Sequence, residues 1–249
     1  MERGDVDPDN PDNHGQTPLL WAAQNGHDGV VGLLLERDDV NPNRPENDGQ
    51  TLLSWAARNG HDGVAKLLLE REDVSPNRPD KYGRTPLSSA AENGRDAIAK
   101  LLLGREDVSP DKPDNDGQTP LSWASREGHG GIVKMLLGRE EVSPNWSDSC
   151  GRTPLSWAAW DGHDGVVKLL LERKDVLPDK PDNYGKTPLS WAARNGHNRV
   201  VKLLLEDERV SPNRPDSCGQ TPLWLAAGNR HDTVVRLLKS RKPSTPSAV

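Results

Sequence analysis

The sequence predicts an all-α chain built as a solenoid of seven stacked helix–turn–helix units with projecting loops or hairpins. Three observations carry this. Gly-x-Thr recurs at Gly15, Gly49, Gly83, Gly117, Gly151, Gly185 and Gly219, each step being 34 residues with no insertion. The apolar residues fall at the same places in every period, as in Val-Val-Lys-Leu-Leu-Leu of 166–171 and 200–205. The prolines also keep fixed places, which makes them punctuation and not a sign of disorder. Seven copies in register are the signature of a repeat array, in which each unit contacts only its neighbours.

Each element of one unit follows from its residues. Thr187 can cap a first helix, and Pro188 suits the first helical position, where a missing N–H costs nothing. Leu189, Ala192 and Ala193 give that helix a small packing face. Asn195-Gly196 ends it, because glycine tolerates the left-handed conformation past a helix end. His197 opens a second helix, in which Val200, Val201, Leu203, Leu204 and Leu205 recur at helical spacing. Val210-Ser211-Pro212-Asn213-Arg214-Pro215-Asp216 must then be extended or turning, since prolines three apart do not sit inside a helix. Helices shorter than about 12–15 residues are marginal alone, so stacking must supply their stability. Trp21, Trp55, Trp123, Trp157 and Trp191 occupy one slot of the first helix and read as core packing.

On this pattern the chain divides into the tail of a truncated preceding repeat (1–11), six repeats (12–45, 46–79, 80–113, 114–147, 148–181 and 182–215) and a seventh, capping repeat (216–240). Residues 241–249 have the composition of a disordered tail. The first expectation rests on Glu2-Arg3-Gly4-Asp5-Val6-Asp7-Pro8, which aligns with Glu36-Arg37-Asp38-Asp39-Val40-Asn41-Pro42. It implies an array cut from a longer one. The seventh unit looks like a true end, with Lys239 replacing an apolar residue and Arg230 the turn glycine.

Composition narrows the function. The net charge is −6, with 32 basic and 38 acidic residues interleaved, and no basic stripe suited to nucleic acid is visible. No apolar run approaches the roughly 18 residues of a membrane span. Met1-Glu2-Arg3-Gly4-Asp5 lacks a signal-peptide core. The expected location is intracellular, cytoplasmic or nuclear. Cys150 and Cys218 lie two periods apart, about 16–20 Å in a stack, whereas a disulfide needs Cα atoms within about 7 Å.

Catalytic readings fail on geometry. His27, His61, His129, His163, His197 and His231 share one turn position, so neighbours would stand about 8–10 Å apart, too far for one metal with ligand bonds near 2 Å. Gly185-Lys186-Thr187 hints at a phosphate loop, but the earlier glycine it needs is Lys180. No nucleophile, base and orienting residue share a cleft. Asn145-Trp146-Ser147 is a glycosylation sequon, meaningful in a secreted protein. The chain is expected not to be an enzyme and to need no cofactor or metal.

The repeated words resemble the ankyrin repeat family. Asp80-Lys81-Tyr82-Gly83-Arg84-Thr85-Pro86-Leu87 and Asn59-Gly60-His61 carry the likeness, which runs from residue 12 to about 240. The array is also similar to those at the ends of fungal multidomain sensor proteins with an NTPase or hydrolase domain upstream. Two departures stand out. Where the family has His after Thr-Pro-Leu, this chain has Ser54, Ser88, Ser122, Ser156 and Ser190, with Leu20 and Trp224 in the outer units. Charged residues such as Arg71-Glu72 replace Gly-Ala, and the period exceeds the family's 33 by one residue, placed in the proline loop.

The resemblance implies an ankyrin-repeat solenoid that binds a protein partner on loop tips and the inner face of the first helices. At those positions the units differ while their scaffold does not. Tyr82, Arg84, Arg126, Arg152, Trp160, Tyr184, Lys186 and Arg194 gather in units three to six, and aromatic and arginine side chains dominate interface hot spots. Trp160 is singular, since its position is polar or glycine in every other unit. The cluster is basic within an acidic chain, which points to an acidic partner surface. The expected protein is a monomeric scaffold. A recognition segment of a larger NTPase or hydrolase sensor and a plain structural spacer are the alternatives.

Overall fold

The computed structural model describes residues 10–12 and 16–240. The expectations for residues 1–9 and for the tail 241–249 lie outside the described residues. Among the described residues there are fourteen helices and no strand. They come in pairs: α1 Pro18–Gln24 with α2 Asp28–Leu35, α3 Leu52–Asn59 with α4 Asp62–Leu69, α5 Pro86–Glu92 with α6 Asp96–Leu103, and α7 Pro120–Glu127 with α8 Gly130–Leu137. Then follow α9 Pro154–Asp161 with α10 Asp164–Leu171, α11 Pro188–Asn195 with α12 Asn198–Glu206, and α13 Pro222–Gly228 with α14 Asp232–Ser240.

The local chemistry is as the sequence requires. Thr187 is extended at ψ 166° and its Oγ1 accepts from Ser190 N at 3.2 Å, with Pro188 in the first turn. Ser190 Oγ lies 3.1 Å from the same hydroxyl, so the serine that replaces the family histidine joins the cap. Gly196 closes α11 at φ 77°, and its N–H bonds Ala192 O. Arg230, in place of that glycine, sits at φ 61°.

The chain forms two compact units that divide between Pro120 and Leu121. In the first, α1, α3 and α5 pack in one row and α2, α4 and α6 in another. In the second, α9, α11 and α13 form a row beside α8, α10, α12 and α14. The small residues of the first helices are buried, as with Ala192 and Ala193 of α11 against Val200, Val201 and Leu204 of α12, except for Ala227 of α13, which is exposed. Val30 is the exception to the pattern. It is 49% exposed, while Val64, Ile98, Ile132, Val166, Val200 and Val234 at the same position are buried, because no described helix pair precedes α1.

The tips are turns. Asp182 N bonds Lys186 O, Gly185 N bonds Asp182 O, and Asn183 N bonds Cys150 O on the preceding tip, each at 2.9 Å. One backbone bond between successive tips is too few for a strand ladder. Behind them, the charged replacement for Gly-Ala has its own task. Arg71 grips Asp73 at 2.9 and 2.8 Å and donates to Leu35 O of the preceding repeat. Hydrogen bonding from Arg71 holds the Asp73 carboxyl below its ordinary range. Asn145 Nδ2 donates to Asp175 O at 2.6 Å and its Oδ1 accepts from Leu177 N, so the sequon amide is committed to the scaffold. Both cysteines are free.

One expectation is corrected here. The tryptophan slot is not uniformly core. Trp157 and Trp191 are 6% and 5% exposed, Trp55 and Trp123 are half-buried, and Trp21 is 55% exposed. The slot lies at the edge of the first-helix row, where burial depends on what the preceding repeat lays over it.

Candidate partner-binding surface

The loop aspartate is the organising residue. Asp148 Oδ1 accepts the N–H groups of Cys150 and Arg152 at 2.9 Å, which shapes the tip. Its Oδ2 accepts Arg152 Nε at 3.0 Å and Trp157 Nε1 at 3.2 Å. Asp182 repeats the arrangement with Tyr184 N, Lys186 N and Trp191 Nε1. A carboxylate removed from water is thus satisfied by backbone and indole in both, with the Arg152 guanidinium added at Asp148.

On this base stands a run of aromatic and cationic side chains in the second unit. Arg152 lies 4.0 Å from the Trp157 ring centroid and Arg126 lies 4.6 Å from it. Trp160 stacks 5.9 Å from Trp157 and 3.9 Å from Trp191. Lys186 and Arg194 stand 5.2 and 5.6 Å from Trp191, and Lys186 is 6.0 Å from Tyr184. Of the eight candidate residues, the structure therefore brings Arg126, Arg152, Trp160, Tyr184, Lys186 and Arg194 into one cluster. Tyr82 and Arg84 meet separately in the first unit, 5.1 Å apart, with Lys81 5.0 Å from the same ring.

Trp160 is fixed from behind. Its carbonyl accepts Asn195 Nδ2 and His197 Nε2, both at 2.8 Å. The turn histidines serve the same end elsewhere, with His61 on Gln24 O, His163 on Arg126 O and His231 on Arg194 O. Among the described residues no group of three or more His, Cys, Asp or Glu could hold a metal ion.

The cations are not equally available. Arg152 is spent on Asp148, and Lys186 pairs with Asp216 at 3.4 Å. Arg84 is held between Asp80 and Glu92, both at 3.1 Å. Arg126 has only Glu127, at 3.7 Å, and Arg194 is exposed with no ion pair among the described residues. The basic character read from composition thus reduces to Arg126 and Arg194 in the second unit. Burial pushes the neighbouring Asp161 carboxyl up, against the opposing pull of Arg126. Trp157 and Trp191 are core, as their recurrence implied, and what sequence reasoning missed is that they stack beneath Trp160. It also missed Asp148, Asp182 and Asp216, whose repetition was the available signal.

Asp216 differs from its counterparts. Burial raises its carboxyl, but the N–H groups of Gln220 and Cys218 and the Lys186 ammonium outweigh that and hold it below the ordinary value. The indole that would reach Oδ2 is missing, since Leu225 fills the tryptophan slot here. Lys186 of the preceding repeat takes its place.

A family model described as ankyrin repeats (3 copies) matches residues 37–114, 72–145, 106–182, 122–216 and 176–246. A second, for the single ankyrin repeat, matches 14–47. No curated protein matches the chain at a significant level. Among the described residues no helix is long and apolar enough to cross a membrane.

Proposed function

This chain belongs to the ankyrin repeat family, and from that premise we propose that it is a scaffold that binds a protein partner through the Arg126–Trp160–Arg194 surface. Ankyrin repeats are generally protein–protein interaction modules and typically not enzymes. The observation that carries the proposal is the Trp157–Trp160–Trp191 stack. A tryptophan between two others, at 5.9 and 3.9 Å, is a rigid platform with little side-chain entropy left to lose on binding. It holds Arg126 and Arg194 beside it, each with guanidinium N–H groups free of a buried acid. Such groups suit carboxylates, which they can engage with paired hydrogen bonds. The partner is therefore a protein with an acidic segment. Tyr82, with Lys81 at its ring, is a further contact patch on the first unit, where Arg84 is already paired with Asp80 and Glu92.

The test is affinity capture with the full chain, followed by titration of the captured partner against variants. Arg194→Glu should weaken binding by about 2 kcal/mol, the scale of an interface hot spot, and the wild-type affinity should fall as salt rises. Trp160→Ala should weaken it further. A partner that binds equally well to both variants would sink the assignment of this surface. Binding unchanged by every substitution on the first-helix side would leave the spacer reading in its place.

A further inference from the structure

We infer that a groove on the second-helix side of the first unit, between α4 and α6, is a binding site for a small anionic amphiphile. The groove is about 620 Å³, within the roughly 300–1,000 Å³ typical of small-molecule sites. Its floor is Leu69, Ala97 and Leu101, and Lys66 and Lys100 stand at its rim. It lies on the second helices of the first unit, shares no residue with the aromatic surface of the second unit, and does not depend on the protein-binding proposal.

One residue keeps the mouth of this groove free of a side chain. Gly104 follows α6 at φ −74°, a conformation open to any amino acid, so its backbone does not require glycine. A Cβ added there would meet only the carbonyls of Leu101 and Lys100 in its own turn, at 3.3 and 3.4 Å. At the corresponding place the other repeats carry Glu36, Glu70, Gly138, Glu172, Glu206 and Ser240, so this glycine is shared with the fourth repeat. Gly104 removes a carboxylate from the mouth of this groove and leaves its apolar floor uncovered.

The charge that remains favours an anion. Arg105, at one wall, is neutralised by Asp107 at 2.8 Å and pinned to Leu69 O at 2.8 Å. Lys66 and Lys100 are exposed and have no ion pair among the described residues. Glu70 is the one carboxylate among the lining residues. Two free ammonium groups above an apolar floor match an apolar body that ends in a carboxylate, sulfonate or phosphate. An uncharged apolar ligand would leave the ammonium groups without a partner, and a cationic one would face both.

The experiment is calorimetric titration of the full chain with dodecanoate below its micelle concentration, with dodecyltrimethylammonium as the cationic counterpart. One saturable site per chain for dodecanoate is expected, with the cation binding at least about tenfold more weakly. Gly104→Glu introduces the residue that four other repeats carry, so folding should survive, as a melting curve would verify. It should weaken dodecanoate at least about tenfold, the scale for like charges near 4 Å at a protein surface. Lys66→Ala with Lys100→Ala should weaken it severalfold, and Lys168→Ala, the same helix position in the second unit, should leave it unchanged. No saturable dodecanoate binding, equal affinity for the cation, or wild-type affinity in folded Gly104→Glu would each overturn the inference.

Discussion

Trp21 and Trp191 fill the same slot of the repeat, yet one is 55% exposed and the other 5%. The difference lies in the preceding repeat, not in the tryptophan's own helix. The residue three positions after the slot in one unit covers the slot of the next. Trp160 covers Trp191 at 3.9 Å, and Arg126 covers Trp157 at 4.6 Å. Gln24 stands in that position before Trp55, which is half-buried. No described repeat precedes Trp21. A shared residue can therefore be core at one end of an array and surface at the other, and the variable position next to it decides which.

This comparison can be broken by substitution. Trp191→Ala should destabilise the second unit by about 3–5 kcal/mol, the usual cost of deleting a buried indole, read as a shift in its urea midpoint. Next in size is the ion pair on which Asp216 depends. Lys186→Met leaves a fully buried carboxylate without its cation and should cost about 1–3 kcal/mol. Arg152→Met should cost less, because Asp148 keeps the Trp157 N–H. If the two cost the same, the missing indole at Leu225 is irrelevant.

A third expectation concerns acid. The folded-state value of Asp216 lies below its ordinary value of 3.8. Its contribution is complete above the unfolded value and is lost as pH falls through the folded one. Acid titration of stability below about pH 4 should thus be shallower in Lys186→Met than in the wild type. The smallest effect is at the other end of the comparison. Trp21→Ala should change stability by no more than about 0.5 kcal/mol, as for an exposed side chain. A loss as large as that of Trp191→Ala would refute the dependence on a preceding neighbour.

The fold was legible because its signals are local and repeated. Thr-Pro at 187–188 and Gly196 fix helix ends through backbone chemistry within one unit, and the structure places caps at those residues. The candidate surface was legible only in part. Subtracting the shared residues found Trp160 and left Trp157 and Trp191 as the core they are, but it could not show that they support Trp160. It could not show that Arg84, Arg152 and Lys186 are spent on loop aspartates, because those pairings need geometry. The expectation that Trp21 is core failed for the same reason: burial of the slot depends on a residue 31 positions earlier, as Trp160 is to Trp191, and no described residue stands there for Trp21. The role of Arg71 was hidden too, since its acceptor, Leu35 O, belongs to the previous unit.

The turn glycines have one more consequence. A Cβ on Gly162 would lie 2.5 Å from the His197 ring, and one on Gly196 would lie 2.5 Å from His231. Gly26 with His61 and Gly128 with His163 repeat the fit. Each of these junctions is thus written half in one copy of the motif and half in the next, and five of the seven copies carry both halves, with Arg95 in place of the histidine in the third and Arg230 in place of the glycine in the seventh. Duplicating or excising a whole copy rejoins matching halves, whereas gaining or losing a single residue would misalign both. Such a chain can change length in steps of one copy without new compensating substitutions, and its tolerance of insertions should be lowest at these turns.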